Sequence, residues 1–194
     1  VAGKYIGTTV ESALTEIANG TTLDTRYEKT IFTQTADKTI GNTTTETSIV
    51  GTGVGSLALP ANLLTAGKTL RIKMLGYISG SNGDTSRIRI KLGSTVILDN
   101  TSTIPATISG VLFELEFTMT CRVSGASGTI IGEGHTIIAA GQGFATATTR
   151  ELLLTAPVTI NTTQSLTLDA TYQWGTARAG NTITSTISTV EVMN

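Results

Sequence analysis

Along residues 111–123, VLFELEFTMTCRV, apolar and polar side chains alternate. Val111, Phe113, Leu115, Phe117, Met119, Cys121 and Val123 fall on one parity, and Leu112, Glu114, Glu116, Thr118, Thr120 and Arg122 on the other. Successive side chains of a strand point to opposite faces. The stretch therefore predicts one long strand with a buried face and a wet face, broken only by Leu112. A half-wet strand of this kind implies an antiparallel sheet and a second layer to cover the apolar face.

The same period of two recurs along most of the chain. In residues 69–80 Leu70, Ile72, Met74, Gly76 and Ile78 alternate with Arg71, Lys73 and Tyr77, and the run ends at the turn text Gly80-Ser81-Asn82-Gly83-Asp84. The return strand SRIRIKL sets Ile88, Ile90 and Leu92 against Arg87, Arg89 and Lys91, and Gly93-Ser94 turns into TVILD. Residues 100–110 read as a Ser/Thr-rich loop, and 124–128 as a reversal into TIIGEGHTIIA. Gly132 and Gly134, on one parity of that run, signal a bulge or the close approach of another backbone. ELLLTAPVTI reads as a strand broken by Pro157. SLTLDATYQW places Tyr172 and Trp174 on an apolar face, and NTITSTISTVEVM closes the chain. These runs make about eight main strands. Strand–turn–strand pairs separated by longer crossings fit an antiparallel β-sandwich of jelly-roll type better than an up-and-down meander. Arg87, Arg89 and Lys91 are placed to oppose Glu114 and Glu116 across strands, where exposed pairs contribute about 0–1 kcal/mol each.

The N-terminal text departs from this period. Thr8-Thr9 can cap a helix, Glu11 and Ser12 sit in its first turn, Val10, Ala13, Leu14 and Ile17 form one stripe, and Asn19-Gly20 supplies a stop. A helix of about three turns is marginal alone. It needs a partner, either the β domain of its own chain or the same helix in neighbouring copies. The expected organisation is a helical neck or linker over 1–30 and a β head over 31–194.

Composition narrows the function. Of 194 residues 39% are hydrophobic and 14% charged, with net charge −1. The chain is too uncharged for a disordered tail and too neutral for a non-specific nucleic-acid binder. No apolar run has the length of a membrane span, and no basic segment followed by an apolar one marks a signal peptide. The single Cys, Cys121, lies on an apolar parity and reads as a buried free thiol with no internal disulfide.

Candidate chemistry is sparse. His135 and Glu133 share parity and could sit side by side as an acid–base or metal pair, but an exposed or hydrogen-bonded strand histidine is the favoured reading. Gly51–Gly55 lacks the Lys-Ser/Thr ending of a phosphate-cradling loop, and no nucleophile elbow, zinc spacing or acidic calcium loop is present. The expectation is therefore no catalytic residue, no metal and no cofactor. Binding is the better prospect. Loops at one end of a sandwich carry recognition, and an aromatic beside a polar loop can stack on a sugar face. The candidate contact residues are Tyr77, Ser81, Asn82 and Asp84 in one loop region and Arg178 in the other, at Gly175–Gly180; Trp174 is expected in the core.

VESALTEIANG followed by LDTRYEKT resembles the connecting segments of bacteriophage tail-fibre and head-fibre proteins, with Glu28 where the common text has a second tyrosine. The likeness covers residues 5–30. It implies a neck on a three-fold axis, with Val10, Leu14 and Ile17 as contacts between copies of a homotrimer. It further implies an upstream fibre shaft or virion attachment protein, a place on the virion surface, and a head that contacts a host glycan or other receptor. The text YQWGTARAGNTIT resembles the ends of small β domains on phage fibres. Two alternatives share the fold: a capsid-mounted head fibre or decoration protein, and a free jelly-roll lectin.

Overall fold

The structure, a computed structural model, describes residues 28–104, 106–139 and 147–194. Among the described residues the chain is antiparallel β-structure with no helix. The expected neck helix, with Val10, Leu14 and Ile17, lies outside them. In chain order the strands are β1 (Lys29–Gln34), β2 (Lys38–Gly41), β3 (Thr47–Ser48), β4 (Gly53–Gly55), β5 (Ala58–Leu59), β6 (Thr69–Gly80) and β7 (Thr85–Leu92). There follow β8 (Thr95–Thr103), β9 (Ile108–Val123), β10 (Gly128–Ala139), β11 (Ala147–Leu153), β12 (Val158–Ile160), β13 (Leu166–Trp174) and β14 (Thr182–Val192).

They form two sheets. The larger runs β11-β10-β9-β6-β14-β1-β4, with β12 also on β10 and β2 also on β14. The smaller runs β3-β13-β7-β8, with β5 also on β13. Their apolar faces share one core. Leu70, Ile72, Met74 and Ile78 of β6 and Phe113, Leu115 and Phe117 of β9 are buried together with Ile88, Ile90 and Leu92 of β7 and Leu168, Tyr172 and Trp174 of β13. The alternation read in the sequence thus sets which side of each strand is dry. Two boundaries differ. β8 runs on to Thr103 and β9 begins at Ile108, so the loop between them is shorter than the Ser/Thr-rich text suggests; threonine is a good strand former. Val123 is 52% exposed because β9 outruns the core it covers.

Gly132 and Gly134 mark close approach. A Cβ on Gly134 would stand 2.0 Å from the Glu116 carbonyl oxygen, and one on Gly132 2.6 Å from the Phe117 ring. The Phe117 ring of β9 occupies the room that Gly132 gives up, and the β9 backbone itself occupies that at Gly134.

Polar side chains inside the sandwich are tied into specific bonds. Gln34 is buried at the end of β1. Its Nε2 donates to the carbonyls of Ala36 (2.8 Å) and Ser185 (2.9 Å), and its Oε1 accepts from Ser188 Oγ (2.7 Å) and the Gly51 amide (3.1 Å). The junction lies where the β14–β6 register shifts between Ser185 and Ile187. Gln34 thus holds β1, β14 and the 49–52 segment together at an irregular point of the ladder.

The positive row of β7 does not meet Glu114 and Glu116, since those lie in the other sheet. Arg87 and Arg89 pair with Asp99 of β8, and Arg89 and Lys91 pair with Glu46, which also accepts from Thr171 at 2.7 Å. Glu46 thereby straps the segment before β3 onto β13 and β7. Glu114 and Glu116 are instead served by Lys73 of β6, at 3.6 and 3.8 Å.

Candidate functional site

Three connections that cross between the sheets meet at one end of the sandwich: 81–84 (β6 to β7), the β8-to-β9 connection, described at Ile104, Ala106 and Thr107, and 175–181 (β13 to β14). The first is a tight turn. Gly83 takes φ +83°, a left-handed conformation that glycine adopts without strain, and the Asp84 amide donates to the Ser81 carbonyl at 3.2 Å. The Gly83 amide donates to the Ile104 carbonyl (2.9 Å), the Ile104 amide to the Asp84 carbonyl (2.8 Å), and the Asn82 amide to Thr107 Oγ1 (3.3 Å).

The third loop is fastened to the first by side chains. Asp84 is buried, and its Oδ2 accepts from Asn181 Nδ2 (2.8 Å) and Arg178 Nε (3.0 Å). Asn181 is fully buried; its Nδ2 also donates to the Thr176 carbonyl (3.2 Å) and its Oδ1 accepts from the Ser81 amide (3.2 Å). A buried carboxylate is tolerated when it is paired and hydrogen-bonded, as here. The result is a fixed platform whose outward groups are Asn82 and Arg178, the latter 57% exposed.

The structure therefore brings Ser81, Asn82, Asp84 and Arg178 together. Asp84 serves as the internal fastener of the platform, with its carboxylate turned to Arg178 and Asn181. Tyr77 stands apart from them. It is 45% exposed on the outer face of the large sheet, in register between Thr184 and Leu112. Gly80 lies three residues further on, about 10 Å along β6, so Tyr77 borders the platform from the side. Leu75 and Ile187, paired in register, extend the apolar surface next to it. Trp174 is fully buried, with its ring centroid 5.1 Å from that of Tyr172 in an edge-to-face arrangement, and supports the platform from beneath.

Two features escape a reading of the sequence. Asn181 is the hub of the platform but lies one residue beyond the turn text that marks the loop. The second feature is a trough on the outer face of β9, β10 and β11. It consists of two depressions of about 530 and 450 Å³ that share Thr118, Glu133 and Leu153. Glu116, His135 and Glu151 lie side by side across its three strands. Glu133 and His135 do share this face, as their parity requires. No group of three or more His, Cys, Asp or Glu among the described residues is placed to hold a metal ion. None of the described residues lining the trough is Phe, Tyr or Trp, so it offers no stacking surface.

No family model and no curated protein matches the chain. Among solved structures the chain is similar to the CBM2 module of the evolved Dit of Lactobacillus casei BL23 phage J-1. The likeness has 10% identity and a TM-score of 0.39, over 87% of this chain and 97% of that one.

Proposed function

We propose that this chain is an adhesive head domain of a bacteriophage virion fibre. In this reading a jelly-roll sandwich, assembled as a homotrimer on its N-terminal neck, contacts the host cell surface, glycans included, and catalyses no reaction. The observation that carries the binding reading is the platform of three crossing loops. Its buried Asp84–Asn181 pair and Arg178 fix the outward groups in advance, which lowers the ordering cost of binding. The order of the principal strands supports the jelly roll. β1-β14-β6-β9 faces β3-β13-β7-β8, and the chain alternates between the sheets as two nested Greek keys do. In that frame β10–β12 are an insertion that widens one sheet. The resemblance of residues 5–30 to fibre connecting segments supports the neck, the trimer and the place on the virion.

Light scattering on the full chain, together with a glycan array, tests this reading. A stable species near three times the 20.1 kDa chain mass is expected. A monomer at every concentration contradicts the trimer. Combined with a defined sugar specificity, a monomer favours the free lectin.

A further inference from the structure

At the open edge of the sandwich, β8 of the small sheet faces β10 and β11 of the large one. A crevice there has about 10 Å³ open to the centre of a water-sized sphere. Its polar lining is Ser86, Asn100, Ser102, Thr136 and Tyr172, and Phe113 is among its apolar walls. Tyr172 is 3% exposed; Ser86 of β7 lies close enough to interact with its Oη, but no described residue meets that oxygen in full bonding geometry. The Tyr172 ring packs edge-to-face on the fully buried Trp174. Ser86 and Ser102 bond each other at 3.1 Å across β7 and β8, each hydroxyl keeping capacity for a further bond. Thr136 is buried at a β10 position whose neighbours on the same parity are apolar or glycine. Just above, Arg150 of β11 donates from Nη2 to the Thr103 carbonyl of β8 at 2.5 Å and spans the gap between the sheets.

We propose that this crevice is a built-in binding site for one water molecule, held by Tyr172 Oη and the hydroxyls of Thr136, Ser86 and Ser102, which closes the seam between the two sheets beside the loop platform. A buried phenol left without a partner costs free energy, and a site with room for one water and two to four polar partners meets the requirement for an ordered internal water. The ligand class follows from the donors. The polar groups lining the crevice are neutral, the charged neighbour of Tyr172 is the Arg150 guanidinium, which opposes a cation, and the space admits one solvent-sized molecule, so the site suits water better than a metal ion or an organic ligand.

The test is a water-to-protein nuclear Overhauser experiment on isotope-labelled full-length chain, followed by a high-resolution crystal structure. A cross-peak between long-lived water and the Thr136 γ-methyl is expected in the native protein. It should be lost or reduced at least threefold in Tyr172→Phe, with the melting temperature nearly unchanged. Ser102→Ala, a milder change, should weaken the same peak and guards against misfolding of the first variant. The crystal should show one water within hydrogen-bond distance of Tyr172 Oη. A native protein with no such cross-peak, together with a Tyr172→Phe variant that melts higher, would show that the phenol is simply unpaired in a dry crevice and would overturn the proposal.

Discussion

Replacing Gln34 with Ala should be among the most damaging single polar changes in this domain. The side chain is buried, and it answers two donors, the Ser188 hydroxyl at 2.7 Å and the Gly51 amide at 3.1 Å. Truncation strands both and also withdraws the donor that serves the Ala36 and Ser185 carbonyls. A buried polar group left without its partner costs about 1–3 kcal/mol, so two stranded donors amount to about 2–6 kcal/mol. Ser185 Oγ, within 3.3 Å of Gln34 Oε1, and water entering the vacated space can recover part of this. We therefore expect a loss of about 2–4 kcal/mol, a large part of the roughly 5–15 kcal/mol typical of a folded domain. The assay is guanidinium unfolding followed by the fluorescence of Trp174, the sole tryptophan and fully buried, at one fixed protein concentration. Ser188→Ala removes a single donor and leaves Gln34 bonded to Gly51, so it should cost about 1 kcal/mol. If Gln34→Ala unfolds within 1 kcal/mol of the native protein with an unchanged slope, the bonding of this junction is not what holds β1 to β14.

Three further outcomes follow from the packing and the charges. Gly134→Ala drives a methyl against the Glu116 carbonyl and should destabilise by about 1–3 kcal/mol, read in the same unfolding assay; a neutral result would mean that β9 and β10 are not in that register. Cys121 is buried, its thiol donates to the Leu64 carbonyl, and burial pushes its pKa up. It should resist a thiol reagent until the domain unfolds, and rapid labelling of the native protein would contradict that placement. Thr171, with Lys91 and Arg89, holds Glu46 below its usual carboxylate range, and Arg87 and then Arg89 do the same for Asp99. Carboxylates with depressed folded pKa values add stability that is complete above their ordinary values and is lost as pH falls through the folded ones. Asp169 acts in the opposite sense, because burial raises its pKa and acid relieves the cost of its charge. The melting temperature should therefore fall between about pH 5 and about pH 2, less steeply in Glu46→Gln and more steeply in Asp169→Asn; parallel slopes would refute the strap.

The strands were legible in the sequence because period-two alternation reports which face is dry, and β6, β7, β9 and β13 carry it almost without interruption, whereas β14 switches parity at its irregular point between Ser185 and Ile187, which leaves Ile187 exposed. The pairing of strands was not legible, since alternation says nothing about which strand lies next to which. Sign alone matches Arg87, Arg89 and Lys91 to Glu114 and Glu116, while the true partners, Asp99 and Glu46, sit in a neighbouring strand and a strap segment. The same limit applies to the candidate site. The turn text at 80–84 and 175–180 marks two loops, but their union depends on Asn181, whose side chain becomes significant only when two distant chain reversals share one end of the sandwich. Likewise Glu116, His135 and Glu151 are far apart in the chain and become neighbours through the β9–β10–β11 register.

Surface binding by the loop platform is the central claim, and one measurement tests it most directly. The fluorescently labelled 194-residue chain would be titrated onto a panel of bacterial strains and their purified surface polysaccharides. Asn82→Ala and Tyr77→Ala, two exposed side chains outside the buried fastening, would be compared with the native protein. The account predicts saturable binding to a subset of the surfaces and at least a tenfold loss in Asn82→Ala, with a smaller loss in Tyr77→Ala at the border of the platform and melting temperatures unchanged. Binding that neither variant affects, or no binding to any surface by a folded and correctly assembled protein, would contradict it.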